Sequence, residues 1–123
     1  MSNYEAGSCN IGQAEIHQRY RVAIIGFLIY LALGAYFIAN DAPTSDRLFI
    51  FLPAMAASVG FVQARKKFCL AYGYMGVFNF GKTGQTSAVK DPAALAADRK
   101  YATKVLLQSC IPAAVLTFVV TLF

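Results

Sequence analysis

The stretch KFCLAYGYMGVFNFG, residues 67–81, decides how this chain folds, because it joins two long apolar parts of the sequence. It carries five aromatic residues and three glycines, and its cysteine, Cys69, lies two residues after a run of three cations, Arg65 to Lys67. Since a membrane span needs about 20 consecutive apolar residues, this stretch is too short and too interrupted to be one. It is also too rich in aromatic residues for an ordinary loop. We expect an interfacial or re-entrant segment that is shielded by the neighbouring helices.

The composition on either side of this stretch is that of a membrane protein. Of the 123 residues, 58% are hydrophobic and 14% are charged, whereas soluble domains carry about 25% charged residues. Three runs without a charged residue, at 22–39, 48–64 and 105–123, are each close to the roughly 17–25 residues that cross a bilayer. None has the polar face that a soluble helical bundle needs. The sequence therefore predicts a single all-α membrane domain, residues 1–123, with three transmembrane helices.

The connections between the spans have clear turn and capping signals. The link 40–47 is rich in Asn, Asp, Pro and Ser, so the first two spans should form an antiparallel hairpin. Asp91 followed by Pro92 is typical of an N-cap and a first helical residue, and this helix should continue into the third span. Residues 1–10 lack periodic apolar positions, and we expect them to be loosely held.

The distribution of cations predicts the orientation of the chain in the membrane. Eight of the 11 Lys and Arg residues lie in 65–104, and the link 40–47 has one cation beside two acids. Since Lys and Arg near span ends resist translocation, segments 1–20 and 65–104 should be cytoplasmic. The net charge of +5 then faces anionic lipid rather than nucleic acid, because the cations flank the spans. We expect a multi-pass protein of the bacterial inner membrane, with the lipid bilayer as its first partner.

Three cysteines offer reactive chemistry, and two of them lie outside the spans. Cys69 follows three cations that would lower the pKa of a thiol, although a small buried apolar residue is the alternative interpretation. Cys9 and His17, with Cys69 and Glu15, provide ligand types for a metal. Their spacing contains neither a Cys-x-x-Cys nor a His pair, so no metal or other cofactor is predicted.

Other signals of enzymatic or transport chemistry are missing from the sequence. It contains no Gly-rich phosphate loop and no arrangement typical of a catalytic triad, and no acid lies inside a span. The absence of intramembrane acids argues against a proton-coupled transporter. We therefore predict that the chain is not an enzyme.

The second span carries a cluster of small residues that is typical of close helix packing. Ala56 and Gly60, four residues apart, form one small-residue pair that lets two helix backbones approach in lipid. This face should be buried against the first helix or against another copy of the chain.

Several residues around the first two spans form a pattern that resembles the YgaP-like inner-membrane family, a domain of unknown function that also anchors some rhodaneses. The resemblance covers residues 10 to about 80 and is carried by Asn10, Gly12, Glu15 and Arg19, and by Cys69, Tyr72 and Gly76. It implies a helical hairpin that dimerises in the inner membrane, in some relatives linked to sulfur handling. The chain departs from the family pattern at Ile16 and Leu70, where an Arg and a Pro are usual, and in its third helix. Rhodanese chemistry is not implied, because it belongs to a separate soluble domain.

Three functional hypotheses follow from these observations. The first is a non-enzymatic homo-oligomeric scaffold or an accessory subunit of a larger membrane complex. The second is a conduit or carrier for a small, sulfur-containing species that uses Cys69 and Cys9 as transient ligands. The third is a redox or metal sensor built from Cys9, His17 and Cys69.

Overall fold

A computed structural model describes residues 4–123, and it confirms the prediction of an all-α fold with three helices long and apolar enough to cross a membrane. Helix α1 is Gln13–Ala39 and helix α2 is Thr44–Arg47, which continues through a 3₁₀ turn, Leu48–Ile50, into α3, Phe51–Lys66. Helix α4 is Leu70–Met75, and α5 is Pro92–Leu122. Two short antiparallel strands, β1 (Val77–Phe78) and β2 (Ser87–Ala88), lie between α4 and α5.

Helix α3 packs against both α1 and α5, and the three helices close around a small core. Tyr30 lies at mid-depth in α1, and its hydroxyl donates a hydrogen bond to the carbonyl oxygen of Leu116 in α5 at 2.9 Å. Ser58 of α3 donates similarly to the carbonyl oxygen of Ser109 at 2.6 Å. Because lipid supplies no hydrophobic drive between helices, such hydrogen bonds and close packing hold the bundle together.

Small residues allow α1 and α3 to touch backbone to backbone. A Cβ atom placed on Gly60 would lie 2.8 Å from the carbonyl oxygen of Arg19, and one on Gly26 would lie 2.7 Å from the Ala57 nitrogen. The carbonyl carbon of Ala56 is 3.2 Å from that same Gly26 position. The face of Ala56 and Gly60 was predicted to pack against the first helix or against another copy of the chain. In the structure it packs against the first helix.

The link between the first two spans contains a capping residue that the sequence did not indicate. Arg47 is 7% exposed, and its Nη1 donates to the carbonyl oxygen of Val120 at 3.0 Å while its Nε donates to that of Ala42 at 2.9 Å. A cation at a helix C-terminus satisfies free carbonyls and opposes the negative end of the helix dipole. Arg47 thus ties the link to the end of α5.

The stretch 67–81 folds as α4 and β1, and it packs on the part of α5 that precedes the third span. Gly73 lies against Phe68 and Ala102, and the hydroxyl groups of Tyr74 and Thr103 are 2.8 Å apart. These contacts favour the interfacial alternative over the re-entrant one. We call residues 4–21 and 67–104 the polar cap.

The N-terminal residues within the described range are held in place, so the prediction of a loose segment is wrong for 4–10. Asp98 is fully buried and accepts hydrogen bonds from the Tyr4 hydroxyl at 2.5 Å and from the Gly7 amide at 2.7 Å. The Tyr4 ring also stacks on Phe78 at 4.9 Å. Burial and the neighbouring Asp98 carboxylate raise the pKa of Tyr4, so its hydroxyl stays a donor. The segment is a strap across α5.

Candidate functional site

The candidate site is a cluster of buried and half-buried polar side chains where three parts of the polar cap meet. The segment 10–12 lies between the end of α3 and the strand region. The Asn10 side chain pairs with the backbone of Cys69, accepting from its amide at 2.7 Å and donating to its carbonyl at 3.1 Å. The Asn79 amide donates to the Asn10 carbonyl at 2.9 Å, and the Gly12 amide donates to the Asn79 carbonyl at 2.9 Å. The segment therefore joins the two ends of the 67–81 stretch.

This arrangement sets the start of the first helix. Ser8 and Asn10 are residue types that favour the N-cap position, but the N-cap of α1 is Gly12, which has no side chain to bond the free amides. A Cβ atom at Gly12 would lie 3.0 Å from the Cα of Phe80, so the position needs glycine for a close contact. Asn10 is used for tertiary bonding instead.

Glu15, in the first turn of α1 and before the uncharged run 22–39, is the centre of the cluster. Its side chain is completely buried. One carboxylate oxygen accepts the hydroxyl of Tyr72 and the Nδ2 of Asn79, the latter at 3.2 Å. The other oxygen pairs with Nη1 of Arg19, one turn later in the helix, at 3.4 Å. A buried carboxylate is tolerated only when it is paired and hydrogen-bonded in this way.

The protonation states in the cluster follow from these contacts. Burial alone would raise the pKa of Glu15, but the hydrogen bonds from Tyr72 and Asn79 and the charge of Arg19 outweigh it, so its pKa lies below the usual value. Burial and the bond to Glu15 raise the pKa of Tyr72 to about 12. Glu15 is therefore an ionised acceptor at neutral pH, and Tyr72 is a protonated donor.

Arg19 links the carboxylate to the thiol of Cys69. Its Nη2 lies 3.1 Å from the Cys69 sulfur, and its guanidinium carbon lies 5.8 Å from the centre of the Tyr72 ring. Cys69 is 3% exposed. Burial therefore limits access to the sulfur.

The end of α3 sets the position of Cys69. Lys67 has a left-handed backbone (φ 55°), and the Phe68 amide donates to the carbonyl of Gln63 at 3.1 Å, which is the bonding of a Schellman turn. The Gln63 side chain then accepts the Leu70 amide at 2.9 Å and starts α4. The chain reverses here and directs Cys69 towards α1.

The structure brings together most of the seven positions on which the family resemblance rests. Six of them form the cluster: Asn10, Gly12, Glu15, Arg19, Cys69 and Tyr72. The seventh, Gly76, ends α4 with a positive φ of 75°, and its carbonyl accepts the Val89 amide at 2.8 Å. The positive φ favours glycine at position 76, and a Cβ atom there would also displace a methyl group of Leu95, which would lie 2.5 Å away.

The other predicted site residues lie outside the cluster. His17 is exposed on α1, and the Cys9 sulfur contacts the Ile11 carbonyl at 3.8 Å. Burial raises the pKa of the Cys9 thiol, which makes it a weaker nucleophile. Within residues 4–123, no group of three His, Cys, Asp or Glu side chains is arranged to hold a metal ion. The hypothesis of a metal site from Cys9, His17 and Cys69 is therefore not supported by the fold.

Three buried polar residues in or beside the cap were not identified from the sequence: Asn79 and Asp98 of the cap, and Gln63 at the end of α3. Asn79 had a local signal, because an Asn two positions before a glycine favours a turn in which its side chain bonds the backbone. In the structure the Oδ1 of Asn79 accepts the Gly81 amide at 2.9 Å. Gln63 and Asp98 resemble ordinary solvated helix residues in sequence, and no local pattern distinguishes them.

Fold and cluster together define the class of this chain: an α-helical membrane protein whose three long helices have a folded polar cap at one end. Comparison with family models, curated proteins and solved structures found no match. The resemblance to the YgaP-like family stays a prediction.

Proposed function

We propose that this chain is a non-enzymatic protein of the bacterial inner membrane that acts as a homo-oligomeric scaffold or as an accessory subunit of a larger membrane complex. The observation that carries this proposal is that the polar cluster is closed. The Glu15 side chain is fully buried and Cys69 is 3% exposed, and each is bonded to other residues of the cap. A catalytic group has to contact its substrate, whereas these groups are committed to internal bonds.

The surfaces that remain available support the same proposal. Large apolar side chains are exposed along all three long helices, including Leu28 on α1, Leu52 on α3 and Ile111 on α5. Lipid or the helices of a partner would cover them. The cap and the adjoining end of α3, which together hold the eight cations of 65–104, would face the cytoplasm and fix the helix ends for such a partner.

The small-residue face does not support oligomerisation, because Gly60 is used in the contact between α1 and α3. Self-association would therefore proceed through other helix faces. The seven residues of the family resemblance support a structural role for the motif, since they build the cap.

Native mass spectrometry of the protein, extracted gently from its own membrane, tests the proposal. We expect one fixed homo-oligomeric or heteromeric mass for the wild type, and the same mass for Cys69→Ser. A monomer under every extraction condition would contradict the scaffold.

A second candidate is a carrier for a small species through Cys69, and it is favoured by the 3.1 Å contact between Arg19 and the thiol. Comparing the rates at which a small thiol reagent labels Cys69, Cys9 and Cys110 separates the two candidates. A scaffold with a closed cluster should label slowest at Cys69, whereas a carrier needs Cys69 to react fastest. In the carrier, Cys69→Ser would also abolish activity while leaving the assembly intact.

A further inference from the structure

An apolar groove of about 450 Å³ runs along the membrane-facing side of the bundle between α1, α3 and α5. Its walls are formed mainly by Ile24 and Phe27 on α1, Ala57 and Phe61 on α3, and Pro112 and Leu116 on α5. All three helices contribute, because α3 lies recessed between the two outer helices.

The walls of the groove are almost wholly apolar. Of the two lining residues that carry a hydroxyl, Tyr20 lies at one end of the groove, and Ser58 already donates to the Ser109 carbonyl at 2.6 Å. An occupant therefore has to be apolar over the length of the groove. A hydrocarbon chain satisfies this requirement.

Three basic residues share, by their spacing, the faces of α1 and α3 that line the end of the groove beside Tyr20 and Phe61, which we call its mouth. Arg65 lies four residues after Phe61, so the two share a face of α3. On α1, Arg21 lies seven residues before the lining residue Leu28, and His17 lies seven residues before Ile24. Residues seven apart share a helix face, so both lie on the side of α1 that lines the groove. All three are exposed.

These cations have no acidic partner of their own. In the described part of the chain neither Arg21 nor Arg65 forms an ion pair. Arg21 directly precedes the uncharged run 22–39 and Arg65 directly follows 48–64, so both lie at the level of lipid headgroups. Arginine binds phosphate oxygens in a planar, bidentate geometry that suits this place.

We infer that the groove is a binding site for one anionic phospholipid, with an acyl chain along the groove and the phosphate between Arg21 and Arg65. A second copy of the chain fits less well. In a two-fold dimer through this face the basic mouths of both copies would meet, and like charges would oppose the contact. The inference needs only that the helices lie in a bilayer and does not rest on the scaffold proposal.

Native mass spectrometry in a neutral detergent tests the headgroup part of this site. The protein is equilibrated with equal amounts of phosphatidylglycerol and phosphatidylcholine that have the same acyl chains. We expect the wild type to retain one phosphatidylglycerol in preference. Arg65→Gln should reduce that preference roughly five-fold, and the double variant Arg21→Gln/Arg65→Gln should nearly remove it. Arg99→Gln, an exposed cation of the cap away from the groove, should leave it unchanged.

A matched pair of variants tests the acyl-chain part. Ile24 lines the groove and is 61% exposed, and its neighbour Ile25 is 57% exposed but lies outside the lining. Ile24→Trp should fill the groove and release the lipid, whereas Ile25→Trp should retain it. Both positions face outward, so neither change should disturb the packing of α1 on α3.

Five results would overturn the inference. They are equal retention of the two lipids by the wild type, an unchanged preference in the double Arg variant, and phosphatidylglycerol retention that is insensitive to Ile24→Trp. The fourth is a lipid-free dimer that Ile24→Trp dissociates, since a second copy would then occupy the groove. Soluble glycerol 3-phosphate should not displace the lipid, and displacement would indicate a site for free anions instead.

Discussion

Replacing Glu15 by Gln should open the polar cap while leaving the membrane helices folded. The carboxylate accepts hydrogen bonds from Tyr72 and Asn79 and pairs with Arg19. A glutamine keeps one acceptor oxygen, but its amide group would face a remaining donor, and Arg19 would lose its counter-charge. The bundle core around Tyr30 does not contact this residue.

The structure sets the size of the effect. A hydrogen bond to a charged group contributes about 1.5–3 kcal/mol, and removing one partner of a buried ion pair costs about 3–5 kcal/mol. One bond to the new oxygen is retained, and the Arg19 side chain is 14% exposed and can reach water. We therefore expect a loss of about 3 kcal/mol in cap stability, which is an increase of about a hundred-fold in the open population.

Thiol labelling measures that population directly. Since Cys69 is 3% exposed, a reagent reaches its sulfur only when the cap opens. In a background of Cys9→Ser and Cys110→Ser, Glu15→Gln should raise the labelling rate about a hundred-fold. Hydrogen exchange of the Cys69 amide, which is bonded to Asn10, gives an independent readout that thiol ionisation does not affect.

Glu5→Gln is the matched control, because Glu5 is an exposed acid of the same cap. It should leave both rates near those of the wild type. If Glu15→Gln raises them no more than Glu5→Gln does, Glu15 does not hold the cap together and the reasoning fails.

The same carboxylate should give the cap a pH dependence. The pKa of Glu15 in the folded cap is lower than usual, so its contribution is present above the ordinary value of about 4.3 and is lost as the pH falls through the folded value. Cap opening, corrected for intrinsic exchange, should therefore increase in the wild type as the pH falls below about 4.3. Glu15→Gln should lack this part of the response.

Three further variants probe contacts elsewhere in the fold. Arg47→Gln should lower the thermal midpoint in detergent by removing about 2 kcal/mol, since its bond to the Val120 carbonyl caps α5; an unchanged midpoint would exclude that role. Gly60→Ala should cost about 1–3 kcal/mol in the same assay, because its methyl would meet α1 backbone at 2.8 Å. Gly34→Ala, whose methyl would meet a side-chain end at 3.2 Å, should cost less. Asp98→Asn should speed proteolysis of the N-terminal strap, because Asp98 accepts the bonds from Tyr4 and Gly7. Equal rates of cleavage in the variant and the wild type would contradict this.

Local patterns in the sequence predict much of the architecture. The uncharged runs identify the three long helices, because only a helix satisfies its own backbone within lipid. Asp91 and Pro92 mark the start of α5 as predicted, with the Asp91 side chain accepting the Ala93 amide at 3.3 Å. These features depend on neighbouring residues alone.

Part of the candidate site was also indicated by the sequence. The residues of the family resemblance include Glu15 and Arg19, one helical turn apart, and Cys69 and Tyr72, nearly one turn apart. Their spacing indicates that the two members of each pair lie close together. It does not indicate that one pair contacts the other. The turn at Lys67 brings the two pairs into contact.

What only the tertiary structure decided are the contacts between residues far apart in the chain. Asn79 reaches Glu15 across 64 positions, and Arg47 reaches Val120 across 73. Both look like ordinary loop residues in the sequence. The neighbouring residues are the same whether a polar side chain is exposed to water or bonded to a group far away in the chain. The sequence by itself determined three spans and a polar cap rich in cations. Packing of that cap decided that its acid, Glu15, and its thiol, Cys69, are closed off from solvent.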